Sequence, residues 1–178
     1  MSSTSYLRAI AERHLATAAF EYQRSVSGQI SEDDAKGQAQ SRILTQPIGN
    51  SGYSYIINSL GVLQSHPVPG LQGRNMKEWR HVQEQMAKKK GFVEYEWQNP
   101  GEDSAREKVL YMDYFAPWDW IISVTAYKDE LVQLVNPADF LHEILSIKIA
   151  EHGYPFVLDK NGLMLVHPTK SGNVLAED

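Results

Sequence analysis

Residues 91–127 read GFVEYEWQNPGEDSAREKVLYMDYFAPWDWIISVTAY, and this stretch sets the fold class. From Phe92 to Gln98 the residues alternate, with Val93, Tyr95 and Trp97 on one face and Glu94 and Glu96 on the other, the period-two pattern of a half-buried strand. Asn99-Pro100-Gly101 turns the chain back, because proline fixes φ and glycine accepts φ > 0. Lys108–Phe115 is the return strand. Pro117 interrupts it, and Trp118–Tyr127, with Ile121, Ile122 and Val124, is a third strand suited to a buried pleated surface. Three strands joined by short turns make a meander, which needs a cover on at least one face.

The upstream sequence supplies that cover. Leu7, Ile10, Ala11, His14, Leu15, Ala18, Ala19, Tyr22 and Val26 recur at helical spacing, which predicts one long amphipathic helix over Tyr6–Ser27, closed by Gly28. His14 on this apolar face reads as a packed structural histidine rather than a ligand or base. Ser31 is a good N-cap, and Glu32, Asp33 and Asp34 complement the dipole of a second helix reaching about Leu44. Pro47, Gly49, Asn50, Ser51 and Gly52 mark a loop. A hairpin follows, with strands Gly52–Asn58 and Val62–His66 around Ser59-Leu60-Gly61, ended by Pro67. After an irregular loop, Met76–Lys90 reads as a helix with Trp79, Val82 and Met86 on one face. The order implies an α+β fold: a long N-terminal helix and a five-stranded antiparallel sheet with a helical insertion between its second and third strands.

Composition removes several function classes. The chain has 178 residues, ordinary hydrophobic content and a net charge of −5, so no basic surface is available for nucleic acid. Lys88-Lys89-Lys90 reads as a solvated helix C-terminus. The lack of cysteine excludes disulfides, iron-sulfur clusters, c-type haem attachment and thiolate zinc sites. No apolar run of about 18 residues occurs, and Met1–Ser5 does not begin a signal peptide. Nucleophile-elbow, zinc-protease, P-loop and dinucleotide motifs are missing, and the six histidines are scattered. The expectation is a non-enzyme without catalytic residues, cofactor or metal site. Glu94 and Glu96 read as solvent-facing, not as an acid/base pair.

After Tyr127 the pattern restarts. Gly52-Tyr53, Gly61 and His66-Pro67 return as Gly153-Tyr154, Gly162 and His167-Pro168, each shifted by 101 positions (153 − 52, 162 − 61, 167 − 66). Gly73-Arg74-Asn75 and Gly172-Asn173 follow the two copies, with a shorter loop in the second. Phe140, Ile144, Leu145 and Ile149 give a helix leading into the second copy, which has its hairpin but not the other three strands. It is expected to be weakly ordered unless something completes its sheet.

The segments GYSYIINSLGVLQSHP, GRN, GFVEYEWQNPG and KVLYMDYFAPWDWIISVTAY together resemble the Cache domains, specifically the double-Cache extracytoplasmic sensor regions of bacterial histidine kinases, chemoreceptors and diguanylate cyclases. GQISEDDAKGQAQSRI is similar to the helical lead-in of the first unit, and GYPFVLDKNGLMLVHP to the opening of the second. The resemblance implies a PAS-like sheet with a small-molecule pocket, on a long helix that carries the signal through a membrane. It implies a helical segment over 1–50, a membrane-distal ligand-binding Cache domain over 51–128, and a connecting helix with an incomplete second Cache domain over 129–178. The full-length protein would be membrane-anchored, with this part on the periplasmic or extracellular side.

A pocket needs apolar and aromatic walls with a few convergent polar groups. The meander offers Tyr95 and Trp97 on one face, with Lys108 and Tyr111 from the neighbouring strand. Those two are three residues apart, so both reach one pocket only through a bulge or at a strand end. The resemblance places the site between sheet and helical insertion, which adds Tyr55, His66, Met76 and Trp79. Lys108 and His66 would pair with a carboxylate, tyrosine hydroxyls would hydrogen-bond it, and Trp79 and Trp97 would cover its apolar body. The expected ligand is a small organic acid. Structural roles compete: Trp97, Trp118 and Trp120 suit core filling, Tyr53 and Tyr154 mark strand starts, and His66 and His167 both precede proline at a strand end. The rival class is a structural or dimerisation spacer, with a homodimer through the long helix.

Overall fold

Helix α1, Ser3–Val26, places Leu7, Ile10, Ala11 and Ala18 on one stripe, and each is almost fully buried. Helix α2, Glu32–Leu44, lies beside it; the Ser31 hydroxyl accepts the Asp34 amide, and three carboxylates fill its first turn, as the sequence predicts. Strands β1 (Tyr53–Ile57) and β2 (Leu63–Ser65) form the hairpin, helix α3 is Arg80–Lys88, and β3 (Gly91–Trp97), β4 (Arg106–Phe115) and β5 (Trp120–Tyr127) form the meander. Helix α4, Lys128–Leu134, follows. Strands β6 (Val157–Leu158), β7 (Leu163–Val166) and β8 (Gly172–Asn173) lie further on. This computed structural model describes residues 3–134, 145–147, 149, 153–159, 161–169 and 172–173. The chain divides into two compact units, Met1–Leu134 and Val135–Asp178, so both long helices belong to the unit that holds the five-stranded sheet.

That sheet has the order β2-β1-β5-β4-β3 with every pair antiparallel. The first hairpin docks beside the last strand, which makes β5 central and buries all eight of its residues. Registers β1–β5, β5–β4 and β4–β3 run without a shift, so each residue's face is decided by parity alone. One face carries Ser54, Val124, Tyr111 and Phe92 in adjacent register. Leu7, Ile10 and Ala11 of α1 pack there against Val109, Tyr111, Val124 and Ala126. Burying Leu7 and Ile10 alone is worth about 4 kcal/mol. Farther along, Ala18 meets Ala35, Ala39 and Ile43 of α2 over Ile56, Trp118, Trp120 and Ile122. The other face carries Tyr53, Tyr55, Ile57, Leu110, Met112 and Ile121 beneath Val82 of α3.

Two elements, α3 and β5, begin two or more residues later than the sequence predicts. The helix expected over Met76–Lys90 begins at Arg80, because the Met76 amide is donated to the Gly61 carbonyl and the Asn75 side chain holds the Lys77 amide, tying those residues to the hairpin. The third meander strand begins at Trp120 rather than Trp118. Ala116–Trp118 forms a 3₁₀ turn, and Asp119 takes φ 53° with its carboxylate accepting the Ser59 amide, the Ser59 hydroxyl and the Tyr114 hydroxyl.

The repeat read at an offset of 101 is a repeat of structure. Asn58 Oδ1 accepts the amides of Leu60 and Val62, and Asp159 Oδ1 those of Asn161 and Leu163. Gly61 and Gly162 then take φ of 76° and 82°. His66 Nδ1 accepts the Val68 amide and His167 Nδ1 the Thr169 amide, both at 3.0 Å. Tyr53 stands edge-on to His66 at 5.2 Å, as Tyr154 does to His167 at 4.9 Å. Gly52 and Gly153 bridge to Ile48 and Ile149. A Cβ on Gly52 would lie 2.5 Å from the Ile48 carbonyl oxygen and 2.7 Å from that of Thr125, both backbone atoms that cannot turn aside. Gly52→Ala is therefore expected to cost about 2 kcal/mol in urea denaturation; a loss under ~0.5 kcal/mol would mean that the approach relaxes freely. In the second unit β8 adds a third strand beyond the expected hairpin. Most of the helix expected through Phe140, Ile144, Leu145 and Ile149 lies outside the described residues.

Candidate ligand cavity

The face of the sheet opposite α1 holds a cavity of about 560 Å³ between β1, the 66–76 loop, α3 and the end of β3. Tyr55, His66, Met76, Tyr95 and Trp97 of the expected set line it. Strand alternation explains three tyrosines and the tryptophan: Tyr53 and Tyr55 flank Ser54 on β1, and Tyr95 and Trp97 flank Glu96 on β3. Two ring arrays result. His66 meets Tyr53 at 5.2 Å and Tyr55 at 5.8 Å, while His81 stacks on Tyr95 at 4.3 Å with planes 8° apart and meets Trp97 edge-on at 5.4 Å. No Asp, Glu, Lys or Arg is among the lining residues.

Polar groups on this side are tied from below. The Tyr55 and Ser123 hydroxyls both donate to Gln85 Oε1, and Tyr95 shares a hydrogen bond with Thr125. Burial pushes the Tyr55 and Tyr95 phenols well above their ordinary range, so both stay neutral. Burial, reinforced by the charge of Lys108, holds His66 and His81 down at about 4. Both imidazoles are neutral at pH 7, and because His66 Nδ1 accepts a backbone amide its proton sits on Nε2.

Lys108 is the buried cation of the site. It belongs to the same face as Tyr95, its partner across β3–β4, but it lies beneath the lining. Its Nζ donates to Asn99 Oδ1 at 3.0 Å and stands 4.2 Å from the Tyr53 ring and 4.8 Å from that of Tyr127. It is the one buried Lys or Arg among the described residues, and no carboxylate lies within salt-bridge distance of it. Burial lowers its pKa to about 8, so it keeps its charge at pH 7. The other carboxylates and cations nearby satisfy one another. Tyr127 donates to Glu102, Arg106 donates to Glu102 and Asp129, and Glu130 accepts the Ser51 amide and hydroxyl. These bonds fasten the Ser51 and Asn99 end of the cavity to α4, which carries Asp129 and Glu130.

A family model described as Cache domain, in the form designated dCache_2, matches residues 2–177. The chain belongs to the Cache domain family. Among solved structures, one described as the periplasmic sensor domain of a chemotaxis protein superposes with a TM-score of 0.63 at 24% identity, over 71% of this chain and 95% of the other. One described as the structural basis for carboxylic acid recognition by a Cache chemosensory domain gives 0.63 at 23% identity, over 71% and 93%. A methyl-accepting chemotaxis protein from Vibrio parahaemolyticus RIMD 2210633 gives 0.58 at 18% identity, over 71% and 89%. At these identities the likeness is one of fold, and it agrees with the α+β, PAS-like Cache architecture.

In this Cache domain the remaining residues of the expected site stand apart from the cavity. Tyr111 projects from the opposite face, where it packs on Phe92 at 4.7 Å and beneath α1; no register shift interrupts β4, so parity separates it from Lys108. Trp79 precedes α3 and is half exposed, meeting Trp97 at 5.2 Å from outside the lining. Among the other residues that line the cavity, Tyr53, His81 and Asn99 carry polar groups or rings and lie outside the set expected from sequence. Tyr53 marks the start of β1, and its period-two spacing to Tyr55 is the sequence signal that puts it on the cavity face. His81 and Asn99 sit in a helix and a turn whose contact with the cavity depends on folding at long range. Among the described residues, no helix is long and apolar enough to cross a membrane, and no group of three His, Asp or Glu side chains is placed to hold a metal.

Proposed function

We propose that this chain is the extracytoplasmic ligand-sensing region of a bacterial transmembrane receptor, a histidine kinase, chemoreceptor or diguanylate cyclase, and that it captures a small organic acid. Residues 1–50 act as the helical lead-in, 51–128 as the membrane-distal ligand-binding domain and 129–178 as the connection to a second, proximal domain. The full-length receptor is membrane-anchored, and chemistry such as phosphoryl transfer belongs to domains outside this chain. The observation that carries the reading is the aromatic cavity with an unpaired buried ammonium behind its wall, an arrangement that favours an anion with an apolar body.

Transmission runs through the long helix. Tyr55 faces the cavity, and the residue before it, Ser54, shares a 2.9 Å hydrogen bond with His14 of α1 on the other face, so a shift of β1 on ligand capture is felt directly by α1. In a thermal-shift screen at pH 7 against mono- and dicarboxylic acids, amino acids and neutral metabolites, acids are expected to raise the melting temperature by several degrees at saturating concentration. Stabilisation by neutral metabolites alone would sink the organic-acid reading. The second reading, a dimerisation spacer, has the half-exposed Phe20 and the exposed Val26 of α1 in its favour. A flat screen together with a dimer in sedimentation would favour it.

A further inference from the structure

We infer that the ligand is an aromatic carboxylic acid, with its ring against the ring arrays and its carboxylate at the Tyr53 and Asn99 end, beside the ammonium of Lys108. The inference rests on the organic-acid reading and narrows it. Three features carry it. A volume of about 560 Å³ lies in the range of pockets that enclose drug-sized ligands, far larger than a two- or three-carbon acid fills. Leaving such a space partly empty forfeits dispersion contacts along the wall, and a planar ring recovers them by stacking or meeting edge-on.

The wall itself is built of rings. Tyr53, Tyr55 and His66 form one array and His81, Tyr95 and Trp97 the other, each held by contacts of 4.3–6.2 Å. An aromatic wall also suits a quaternary ammonium ion. That alternative fails here on charge. Lys108 already stands 4.2 Å from the Tyr53 ring, the lining holds no carboxylate, and both histidines are driven neutral in part by this same ammonium. The Glu102 carboxylate, which accepts the Asn99 amide, is already engaged by Arg106 and Tyr127, so the Lys108 ammonium is left to repel a cation and attract an anion at this wall.

The donors complete the case. Asn99 Oδ1 accepts from the Lys108 ammonium, which leaves both Nδ2 protons without a partner among the described residues. The Tyr53 hydroxyl and the His66 Nε2 proton likewise have none. Neutral donors backed by a buried cation match the four lone-pair sites of a carboxylate.

Isothermal titration of the purified chain at pH 7 with benzoate, phenylacetate, acetate, propionate, benzamide and phenyltrimethylammonium tests the inference. Benzoate or phenylacetate is expected to bind at least tenfold tighter than the other four. Equal binding of acetate or propionate would overturn the ring selection and leave the organic-acid reading standing. Equal binding of benzamide or phenyltrimethylammonium would overturn both. No binding by any of the six overturns the inference, and the wider acid screen then decides the broader reading alone. Trp97→Leu and Asn99→Ala, each checked for an unchanged circular dichroism spectrum, are expected to weaken the tighter-binding aromatic acid about tenfold. Unchanged affinity in both would place that acid elsewhere and end the assignment.

Discussion

Acidifying the protein from pH 6.5 to pH 4 is expected to lower the melting temperature of the first unit by on the order of 10 °C. The cause is three imidazoles that fold as neutral groups. His14, on the inner side of α1, is buried against Ser54, and burial holds it at about 4, the level at which His66 and His81 also lie. In the unfolded chain a histidine takes up its proton near pH 6.5. Between those values the unfolded state binds more protons than the folded one, so stability falls as the pH falls. A shift from 6.5 to about 4 corresponds to about 3 kcal/mol for His14, with smaller contributions from His66 and His81. Against a total of about 5–15 kcal/mol this is a large share. Glu102 is held at about 2, chiefly by the Tyr127 hydroxyl, so its support is lost progressively from about pH 5 down to about 2 and adds to the fall only at the acid end of this window. The measurement is a set of circular dichroism melts at half-unit pH steps for the wild type and His14→Gln. The variant should lose part of the slope, and a wild-type curve that is flat between pH 6.5 and 4 would refute the argument.

Lys108→Met is expected to separate stability from ligand capture. The folded site lowers the lysine to about 8 from a value near 10.5, a penalty on the charged form of about 3 kcal/mol at pH 7. Methionine has a similar length and no charge, so urea denaturation at pH 7 should show a fold no less stable than the wild type, even though the Asn99 bond and the two ring contacts are lost. The wild type should gain stability from pH 8 to 10.5, where the unfolded lysine still holds its proton and the folded one has released it; the variant should lack that rise. Organic-acid affinity should fall by at least tenfold, because the charge behind Asn99 and Tyr53 is gone. A loss of more than ~2 kcal/mol in stability would mean that the ammonium is a structural keystone. Undiminished acid binding would remove it from the site.

The amphipathic stripe of α1, the cap at Ser31, the aromatic meander and the Gly-Tyr…Gly…His-Pro repeat were all legible in sequence, because each is a local pattern with a local cause. Helix spacing, a capping hydroxyl and strand alternation act within a few residues, and the internal repeat displayed one such unit twice. The late starts of α3 and β5 are not legible locally because the competing bonds come from distant residues: Gly61 takes the Met76 amide, and Asp119 reaches back to Ser59.

Sequence by itself determined which residues alternate on each strand, and so it already implied that Lys108 and Tyr111 face opposite ways. It could not say which face would hold the cavity. That was decided when β1 paired beside β5 and α1 covered the Tyr111 side, leaving Tyr53, Tyr55, Tyr95 and Trp97 to the open side under α3. The place of Lys108 was likewise a tertiary outcome. Nothing along the chain shows that a lysine will lie fully buried between the rings of Tyr53 and Tyr127, since those residues are 55 and 19 positions away (108 − 53, 127 − 108) and meet it only across the closed sheet. Local periodicity sets direction within an element, while burial, desolvation and the pairing of charges depend on which elements pack together.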